Sequence, residues 1–403
     1  MNVYFHTFGC RANQYDTDVV RQAFTEQGAV VVDDPAAADL TVINSCTVTH
    51  ESEAKLRQFV RRVSRTGRAE TIVMGCAAAL DDGAIAALPS VRAVVANADP
   101  AMVLRAAGLS SRANVGSQHA APLHRHRALL KIQDGCDEHC TFCATTLARG
   151  ANRSRSVAEL VAEARVLAEH HAEIVLTGVH IGTYGQEAGP ERTLGRLLET
   201  LIQAIPEVRF RLSSVEATEV DDTLARLLIE APRHVAGHLH APLQSGSNRV
   251  LKRMGRHWYT AQSYRARIEW LAEQLPVFGL GADVIAGFPG ETDEDHQATL
   301  TLLHALPFTY LHVFPFSVRP DAAAARLPAQ LAPSLINGRA RELRELGEAK
   351  ARGYRGRRKG QRGDGVVAGR AGERVDVLTE DYLSVYLPSD RWDGRPRFDL
   401  IVD

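Results

Sequence analysis

Short apolar runs alternate with longer amphipathic segments along the first quarter of the chain. The amphipathic segments at about 14–27 and 51–65 have the length and periodicity of helices. The apolar runs have the length of strands and lie at 2–6, 29–32, 40–43, 71–74 and 91–96. Because strands that alternate with helices are typical of a parallel α/β sheet, we predict an N-terminal α/β domain over residues 1–106.

The same alternation resumes after a polar segment, 107–127, which we interpret as a linker. Further apolar runs separated by helical segments lie at 129–133, 173–177, 207–212, 235–241, 278–285 and 309–314. These βα units fall short of the eight of a closed (β/α) barrel. We therefore predict a partial (β/α)6 barrel over residues 128–333, with one side open to a large substrate.

The last part of the chain changes character twice. A charged connecting helix is predicted at 334–351, and short alternating segments over 352–403 indicate a small antiparallel β-barrel. Between the two lies a basic run without any acidic residue, formed by Lys350, Arg352, Arg355, Arg357, Arg358, Lys359 and Arg362. The aromatic residues of this region are Tyr354, Tyr382, Tyr386 and Trp392. The combination suits phosphate contact and base stacking in RNA, and a solvated charged face is the alternative.

Composition narrows the class of protein. The 403 residues are 45% hydrophobic and 24% charged, which is typical of a globular protein with a substantial core. The net charge of −1 means that any nucleic-acid surface must be local. The first residues lack a signal-peptide pattern, and no stretch approaches the ~18 apolar residues of a membrane span. We therefore expect a cytoplasmic protein without a membrane partner, where thiols stay reduced and available to metals.

Three of the six cysteines stand close together in the run Cys136-Asp-Glu-His-Cys140-Thr-Phe-Cys143. Thiolates are soft ligands suited to zinc, copper(I) and iron–sulfur clusters. Three thiolates would hold three irons of a 4Fe–4S cube, which ordinarily takes four, and leave the fourth iron open to a small molecule. A Cys3His zinc site that includes His139 is the alternative.

The other three cysteines each follow a different predicted strand of the N-terminal domain. Cys10, Cys46 and Cys76 stand just beyond the strands at 2–6, 40–43 and 71–74. In an open α/β sheet the carboxyl ends of the strands share one edge, where ligands bind. We therefore expect these thiols to converge on a second metal cluster, although a free cysteine is often just a small buried hydrophobic residue.

These features resemble the radical-SAM methylthiotransferase family, over essentially the full chain. The spacing of Cys136, Cys140 and Cys143 resembles the signature of radical S-adenosylmethionine (SAM) enzymes, and the C-terminal segment is similar to a TRAM domain, an RNA-binding barrel. The family's cysteine and barrel motifs are matched by Thr7-Phe-Gly-Cys-Arg-Ala-Asn-Gln-Tyr15, Val42-Ile-Asn-Ser-Cys-Thr-Val-Thr49, Met74-Gly-Cys76, His238-Leu-His-Ala-Pro-Leu-Gln-Ser-Gly-Ser247 and Gly281-Ala-Asp-Val-Ile-Ala-Gly-Phe-Pro-Gly-Glu-Thr292.

The resemblance implies two 4Fe–4S clusters with different tasks. The cluster on Cys136, Cys140 and Cys143 would chelate SAM, whose reductive cleavage gives a 5′-deoxyadenosyl radical. The auxiliary cluster on Cys10, Cys46 and Cys76 would carry the sulfur that becomes methylated and inserted. The net reaction replaces an unactivated C–H bond with C–S–CH3, for which a radical cofactor is physically suited.

The resemblance also implies partners and a cofactor pocket. The partners would be tRNA, an electron donor such as a flavodoxin or ferredoxin, and a sulfur donor whose identity the sequence leaves open. By position in the family pattern, the SAM-pocket candidates are Phe142, Thr177, Gly178, Ser213, Glu216 and Gln244. The alternative for these residues is loop packing, a strand end or an ordinary polar rim.

Two stretches indicate the substrate branch. Cys46-Thr-Val-Thr49 and Arg11-Ala-Asn-Gln-Tyr15 look most like the branch that adds methylthio at C2 of N6-threonylcarbamoyladenosine beside the tRNA anticodon. Other branches modify isopentenyl-adenosine in tRNA or a ribosomal-protein aspartate, and a zinc-stabilised, non-catalytic RNA-binding protein is the alternative of another class. The chain departs from the family pattern at Ala144–Gly150 and at Ser317–Ala322, which leaves local substrate contacts open.

Overall fold

The computed structural model describes residues 1–47, 50–65, 69–110, 126–189 and 191–403. Most of the predicted linker, and Val48 and Thr49 of the second cysteine motif, lie outside the described residues. No helix in the described ranges has an apolar stretch long enough to cross a membrane.

The N-terminal domain is a five-stranded sheet in the order β2-β1-β3-β4-β5, with every neighbouring pair parallel. Its strands are β1 (Asn2–Thr7), β2 (Val30–Val31), β3 (Leu40–Ser45), β4 (Glu70–Gly75) and β5 (Val91–Ala96). Its helices are α1 (Arg11–Glu26), α2 (His50–Ser64), α3 (Cys76–Ala79) and α4 (Pro100–Ala106). The prediction of a parallel α/β sheet is confirmed, and the apolar run at 29–32 shortens to two residues because it pairs only with β1, at the edge.

The second unit contains six parallel strands in the order β6-β9-β10-β11-β12-β13, which confirms the predicted partial barrel. Single bridges, Phe210 with Val235 and Ser214 with His240, join its two halves. The strands are β6 (Ala128–Lys131), β7 (Gln133–Asp134), β8 (Arg153–Ser154), β9 (Glu173–Thr177), β10 (Arg209–Leu212), β11 (His238–His240), β12 (Gly279–Ala286) and β13 (Tyr310–Pro315), of which β7 and β8 form a small antiparallel pair.

Helices cover the outer face of this barrel and bury the largest apolar core of the described residues. They are α6 (Val157–Ala168), α7 (Leu194–Ala204), α8 (Asp222–Glu230), α9 (Asn248–Arg253), α10 (Ala261–Gln274) and α11 (Asp293–Ala305). The short helix α5 (Thr145–Arg149) instead contacts α3 of the N-terminal domain. Along β12, Leu280, Ala282 and Val284 point into this core, so the alternate residues of the strand face the inside of the barrel.

The connecting helix α12 (Pro333–Arg358) is longer than the predicted 334–351. Arginine and lysine are good helix formers, and Tyr354 and Arg358 bury their side chains, so the helix continues through the basic run. Most of the basic residues therefore lie on the last turns of α12 and not in the sheet that follows.

The C-terminal unit is a four-stranded antiparallel sheet in the order β16-β15-β14-β17. Its strands are β14 (Arg362–Ala371), β15 (Arg374–Thr379), β16 (Ser384–Pro388) and β17 (Arg397–Ile401). The prediction of antiparallel strands is confirmed. In this described part of the chain no ladder of hydrogen bonds pairs β16 with β17, so the strands form an open sheet instead of the predicted closed barrel. The sheet docks on the amino ends of the barrel strands, where a Cβ at Gly279 would stand 2.1 Å from the carbonyl oxygen of Asp381.

Candidate functional site

The loop that carries Cys136, Cys140 and Cys143 lies between β7 and α5, at the carboxyl end of the barrel. The amide of Cys136 donates to the carbonyl of Gly150 at 3.0 Å, which closes the loop on itself. Gly135 has a left-handed φ of +73°, and a Cβ there would stand 1.9 Å from the carbonyl oxygen of Ala151. The loop therefore requires glycine at position 135. All three thiols are free and partly exposed.

Two cations stand beside these thiols. Arg256 Nη1 donates to Cys140 Sγ at 3.5 Å, and His180 Nδ1 lies 3.6 Å from Cys136 Sγ. Burial raises the pKa of the Cys140 thiol to about 12, while Arg256 works in the opposite direction. Burial disfavours a charged His180, but its contacts with Cys136 and Glu219 raise the pKa of this histidine to about 11. Metal binding must displace protons from these thiols, and the two cations favour the thiolate form.

Glu216 links the two cations. It accepts hydrogen bonds from Arg256 and from the indole of Trp258, and its Oε1 lies 3.9 Å from His180 Nε2. The Arg256 guanidinium also stacks 4.9 Å from the Trp258 ring. Glu216 is therefore tied through one intermediate residue to both Cys136 and Cys140.

The SAM-pocket candidates occupy one rim of the barrel. Thr177 and Gly178 end β9, Ser213 and Glu216 follow β10, and Gln244 follows β11. The structure therefore brings them to the same edge as the cysteine loop, where Phe142 packs against the barrel core.

Gly178 has no room for a side chain, because a Cβ there would lie 2.7 Å from the carbonyl oxygen of Gln133. The side-chain oxygen of Gln133 accepts from the amides of Val179 and His180 at 3.0 and 2.9 Å. These contacts fix the turn after β9 close to the cysteine loop.

The structure also brings the other three cysteines together. Cys10 precedes α1, Cys46 follows β3 and Cys76 begins α3, at the carboxyl ends of three adjacent strands. Asn13 Oδ1 accepts from the thiols of Cys10 and Cys76 at 3.7 and 3.8 Å. A Cβ at Gly9 would lie 2.7 Å from Cys46 Sγ, so glycine there lets the chain pass close to the third thiol.

Arg149, at the end of the helix that follows the first cysteine loop, contacts the second cysteine group. Its Nε donates to Cys76 Sγ at 3.2 Å, and its Nη2 donates to Asn13 Oδ1 at 2.6 Å. Ion pairs with Asp16 and Asp134, each at 2.9 Å, hold the guanidinium. Although burial disfavours its charge, these acids raise the pKa of Arg149 above its ordinary value. Burial raises the pKa of Cys76, which the Arg149 charge opposes.

A cavity of about 230 Å³ opens beside Arg149. Its polar lining includes Asp16, Cys76, Asn97, Asp99, Lys131, Asp134 and Arg153. The cavity thus lies between the N-terminal domain and the barrel, next to one thiol of the second group.

The donor set of each cysteine group is three thiols. In a tetrahedral zinc site, bonds of about 2.3 Å place two sulfurs about 3.8 Å apart. Among the described residues, neither cysteine triplet brings its three sulfurs within 4.8 Å of one another. His139, the candidate fourth zinc ligand, is exposed. A set of three thiolates can hold three irons of a cubane iron–sulfur cluster and leave the fourth iron open.

Some residues of the basic run are exposed, and others are engaged in hydrogen bonds or ion pairs within the protein. Arg358 is 3% exposed and forms ion pairs with Glu380 and Asp381, so its inclusion among RNA-contacting residues is corrected. Lys350 Nζ donates to the carbonyls of His304 and Leu306, near the end of α11. The exposed residues of the run are Arg352, Arg355, Arg357, Lys359 and Arg362.

The aromatic residues divide in the same way. Tyr354 is buried and donates to Asp381 at 2.6 Å, and the partly exposed Tyr382 stacks on His238 of the barrel. Tyr386, in contrast, is 53% exposed. Burial therefore removes Tyr354 from the surface available to bases, whereas Tyr386 remains on it.

Four residues at the site were missed by sequence reasoning, namely Asn13, Arg149, His180 and Arg256. Arg149 and Arg256 contact cysteines 73 and 116 positions away, so no local pattern signals them. Asn13 lies inside the first cysteine motif, and Arg149 lies in the stretch that departs from the family pattern. Their places in these two stretches are the sequence features that could have identified Asn13 and Arg149.

Comparisons with known proteins agree with this arrangement. The model of the Uncharacterized protein family UPF0004 matches residues 2–96, and that of the Radical SAM superfamily matches residues 130–303. A Bacillus subtilis (strain 168) protein named threonylcarbamoyladenosine tRNA methylthiotransferase MtaB is 38% identical over 370 residues, covering 87% of this chain and 81% of that protein. An Aquifex aeolicus (strain VF5) protein of the same name is 34% identical, covering 96% of each chain.

The fold also resembles a solved structure, the radical S-adenosylmethionine methyltransferase TsrM from Kitasatospora setae, described with cobalamin and a [4Fe-4S] cluster bound. The TM-score is 0.59 over 80% of this chain and 77% of that one, at 13% sequence identity. This likeness concerns the fold alone.

Proposed function

Because the chain belongs to the radical-SAM methylthiotransferase family, we propose that it replaces the hydrogen at C2 of N6-threonylcarbamoyladenosine in tRNA with a methylthio group. The observation that carries this proposal is the pair of three-thiol groups on separate domains, with Arg149 from the segment after the first group bonded to Cys76 of the second. The names of the relatives support the nucleoside, and the two cysteine groups support a reaction that needs both a radical source and a sulfur source.

The six cysteines divide between two 4Fe–4S clusters in this proposal. Cys136, Cys140 and Cys143 would hold the cluster that binds SAM, and Cys10, Cys46 and Cys76 would hold the auxiliary cluster. When bound, these groups supply radical cleavage of SAM at the first cluster and a sulfur atom for transfer at the second.

The chain's own residues prepare this site. The charges of Arg256 and His180 favour the thiolates of Cys140 and Cys136, and Glu216 holds the two cations at the rim. Arg149 does the same for Cys76. The SAM contacts would come from Phe142, Thr177, Gly178, Ser213, Glu216 and Gln244.

The exposed basic residues and the 352–403 unit support RNA binding. Arg352, Arg355 and Arg357 lie on the last turns of α12, and Lys359 and Arg362 follow it. These residues would contact tRNA phosphates. Such contacts position the RNA without reading its base sequence. The reaction also needs an electron donor such as a flavodoxin or ferredoxin, and a tRNA substrate would place it in the cytoplasm.

Anaerobic reconstitution tests the proposal. The iron-loaded protein is incubated with SAM, a reductant and anticodon stem-loops that carry either threonylcarbamoyl- or isopentenyl-adenosine, and the nucleosides are analysed by mass spectrometry. The proposal predicts methylthio product on the threonylcarbamoyl RNA. Product on the isopentenyl RNA alone would move the protein to the neighbouring branch, and a colourless zinc protein without product would contradict the enzyme proposal.

A further inference from the structure

Arg11 extends from the N-terminal domain to the inside of the barrel. It is the first residue of α1, directly after Cys10, and its Nη2 donates to the hydroxyl of Tyr382 at 2.8 Å. Tyr382 lies in the turn between β15 and β16. Its ring stacks on His238 at 4.4 Å and lies 5.4 Å from the ring of Tyr310. Arg11 thus contacts a tyrosine of the C-terminal unit, and that tyrosine packs against side chains of the barrel.

The residues around Tyr382 belong to the inner face of the barrel. Leu239 of β11 packs into the outer core, so its neighbours His238 and His240 face inward. Tyr310 of β13 fills the space that a side chain at Gly281 would need, because a Cβ there would lie 2.0 Å from its ring. The Tyr310 hydroxyl bonds both histidines, at 2.8 and 3.0 Å. The Arg11 charge therefore stands beside side chains of the barrel interior.

The other cations near this interior have acidic partners. Arg211 pairs with Glu173, Lys131 pairs with Asp16 and Asp134, and His240 and His312 share Asp283. Arg11, in contrast, forms no ion pair with any residue in the described ranges. A guanidinium carries five N–H donors, and the Tyr382 hydroxyl takes one. The remaining donors suit an anionic group with two oxygens.

The geometry points to Arg11 as the residue that binds the carboxylate of the threonylcarbamoyl group on the substrate adenosine. This inference rests on the proposed function and names the residue that selects its substrate. The threonylcarbamoyl group ends in a carboxylate, whereas the isopentenyl group of the neighbouring branch is a hydrocarbon. A guanidinium at this position binds the first group and is left without a partner by the second, which favours the acidic substrate and rejects the neutral one. The position next to Cys10 also holds the substrate close to the auxiliary thiols.

Three stem-loops and three variants test this inference. The RNAs carry threonylcarbamoyl-adenosine, the methyl ester of the same group, or isopentenyl-adenosine. Arg11→Gln removes the charge, Arg11→Lys keeps it without the planar fork, and Arg105→Gln alters an exposed arginine of α4 as a matched control. Because Arg11 adjoins Cys10, iron content and visible absorbance are measured for every variant, together with SAM cleavage without RNA.

Wild-type protein is expected to have a lower KM for the acid than for the ester. Arg11→Gln should raise the KM for the acid by roughly ten- to a hundred-fold, as expected when a hydrogen-bonded charge loses its partner. It should leave the KM for the ester and the iron content unchanged. For the acid RNA, the KM of Arg11→Lys should lie between those of the wild type and Arg11→Gln. The KM of Arg105→Gln should match that of the wild type.

Equal KM values of wild-type protein for acid and ester would overturn the inference without any variant, and so would an Arg11→Gln protein that keeps the wild-type preference. Both results would leave the proposed function standing, because wild-type protein would still modify the acid RNA. Absence of methylthio product from wild-type protein on that RNA would instead remove the proposed function, and the inference with it.

Discussion

Arg149 donates its Nε hydrogen to the Sγ of Cys76 across 3.2 Å, and this contact joins the two halves of the site. The arginine ends α5, the short helix directly after Cys143, whereas Cys76 begins α3 of the other domain. The same guanidinium pairs with Asp16 of α1 and with Asp134 of β7. One buried cation thus fixes the position of the first cysteine loop relative to the second thiol group.

Replacing Arg149 with glutamine should separate SAM cleavage from sulfur insertion. The change removes one of the two cations that Asp16 and Asp134 share, Lys131 being the other, and frees α5 to shift. Because a misplacement of about 1 Å costs on the order of a hundred-fold in rate, we expect a ten- to hundred-fold loss of methylthio product. Formation of 5′-deoxyadenosine should persist. Arg196→Gln, at a position that is 60% exposed on α7, is the control, and equal product from both variants would contradict this role.

Replacing Cys46 with alanine should remove the auxiliary cluster alone. Cys46 is buried among the second thiol group and lies outside the first loop. We expect iron to fall by the content of one cluster, SAM cleavage to continue and methylthio product to disappear. Cys140→Ala is the matched comparison and should abolish both reactions. Undiminished methylthio product from the Cys46 variant would falsify the auxiliary role.

Neutralising the exposed basic residues should reduce the salt dependence of tRNA binding. Each phosphate contact contributes about 0.7 to 0.9 to the slope of log K against log salt concentration. Glutamine at Arg352, Arg355 and Arg357 should therefore flatten the slope by roughly two to three units if each contacts a phosphate. An unchanged slope would identify these residues as a solvated face.

Arg358 provides a contrasting variant from the same run. Its guanidinium pairs with Glu380 and Asp381, both on the turn that docks against the barrel. Arg358→Gln should lower the melting temperature, because loss of one partner from a buried ion pair costs roughly 3 kcal/mol or more. A variant that melts like the wild type would contradict this structural role.

Gly279 tests the docking of the C-terminal sheet. An alanine Cβ there would stand 2.1 Å from the Asp381 carbonyl oxygen, so the sheet must shift, at a cost of about 1 to 3 kcal/mol. We expect a lower melting temperature and faster proteolysis between the barrel and the sheet. At Gly338 of α12 a Cβ would meet nothing within 4 Å, so Gly338→Ala should be neutral or stabilising. Equal behaviour of the two variants would contradict the packing.

The sequence predicted the elements of the fold better than the contacts between them. The predicted run at 173–177 coincides with the strand β9. The apolar residues of a short buried strand are consecutive in the sequence, so they can be recognised locally. The convergence of Cys10, Cys46 and Cys76 followed from topology, since their strands are neighbours in the sheet. Strand ends at one edge of a parallel sheet are predictable from the order of elements alone.

The sequence pattern did not predict which charged residues are exposed and which are buried in ion pairs. Arg352 and Arg358 stand in the same basic run, yet the first is exposed and the second is paired with acids more than twenty residues away. Tyr382 reads as a surface aromatic of the C-terminal sheet, but it stacks on a barrel histidine. Which side of an element is covered depends on tertiary packing between distant segments, and composition does not encode it locally.

The proposed reaction has its most direct test in the nucleosides of total tRNA, compared by mass spectrometry between cells with and without the gene for this chain. The account predicts loss of 2-methylthio-N6-threonylcarbamoyladenosine, with its unmethylthiolated precursor accumulating and the isopentenyl relative unchanged. An unchanged level of the threonylcarbamoyl product, or loss of the isopentenyl product alone, would contradict it.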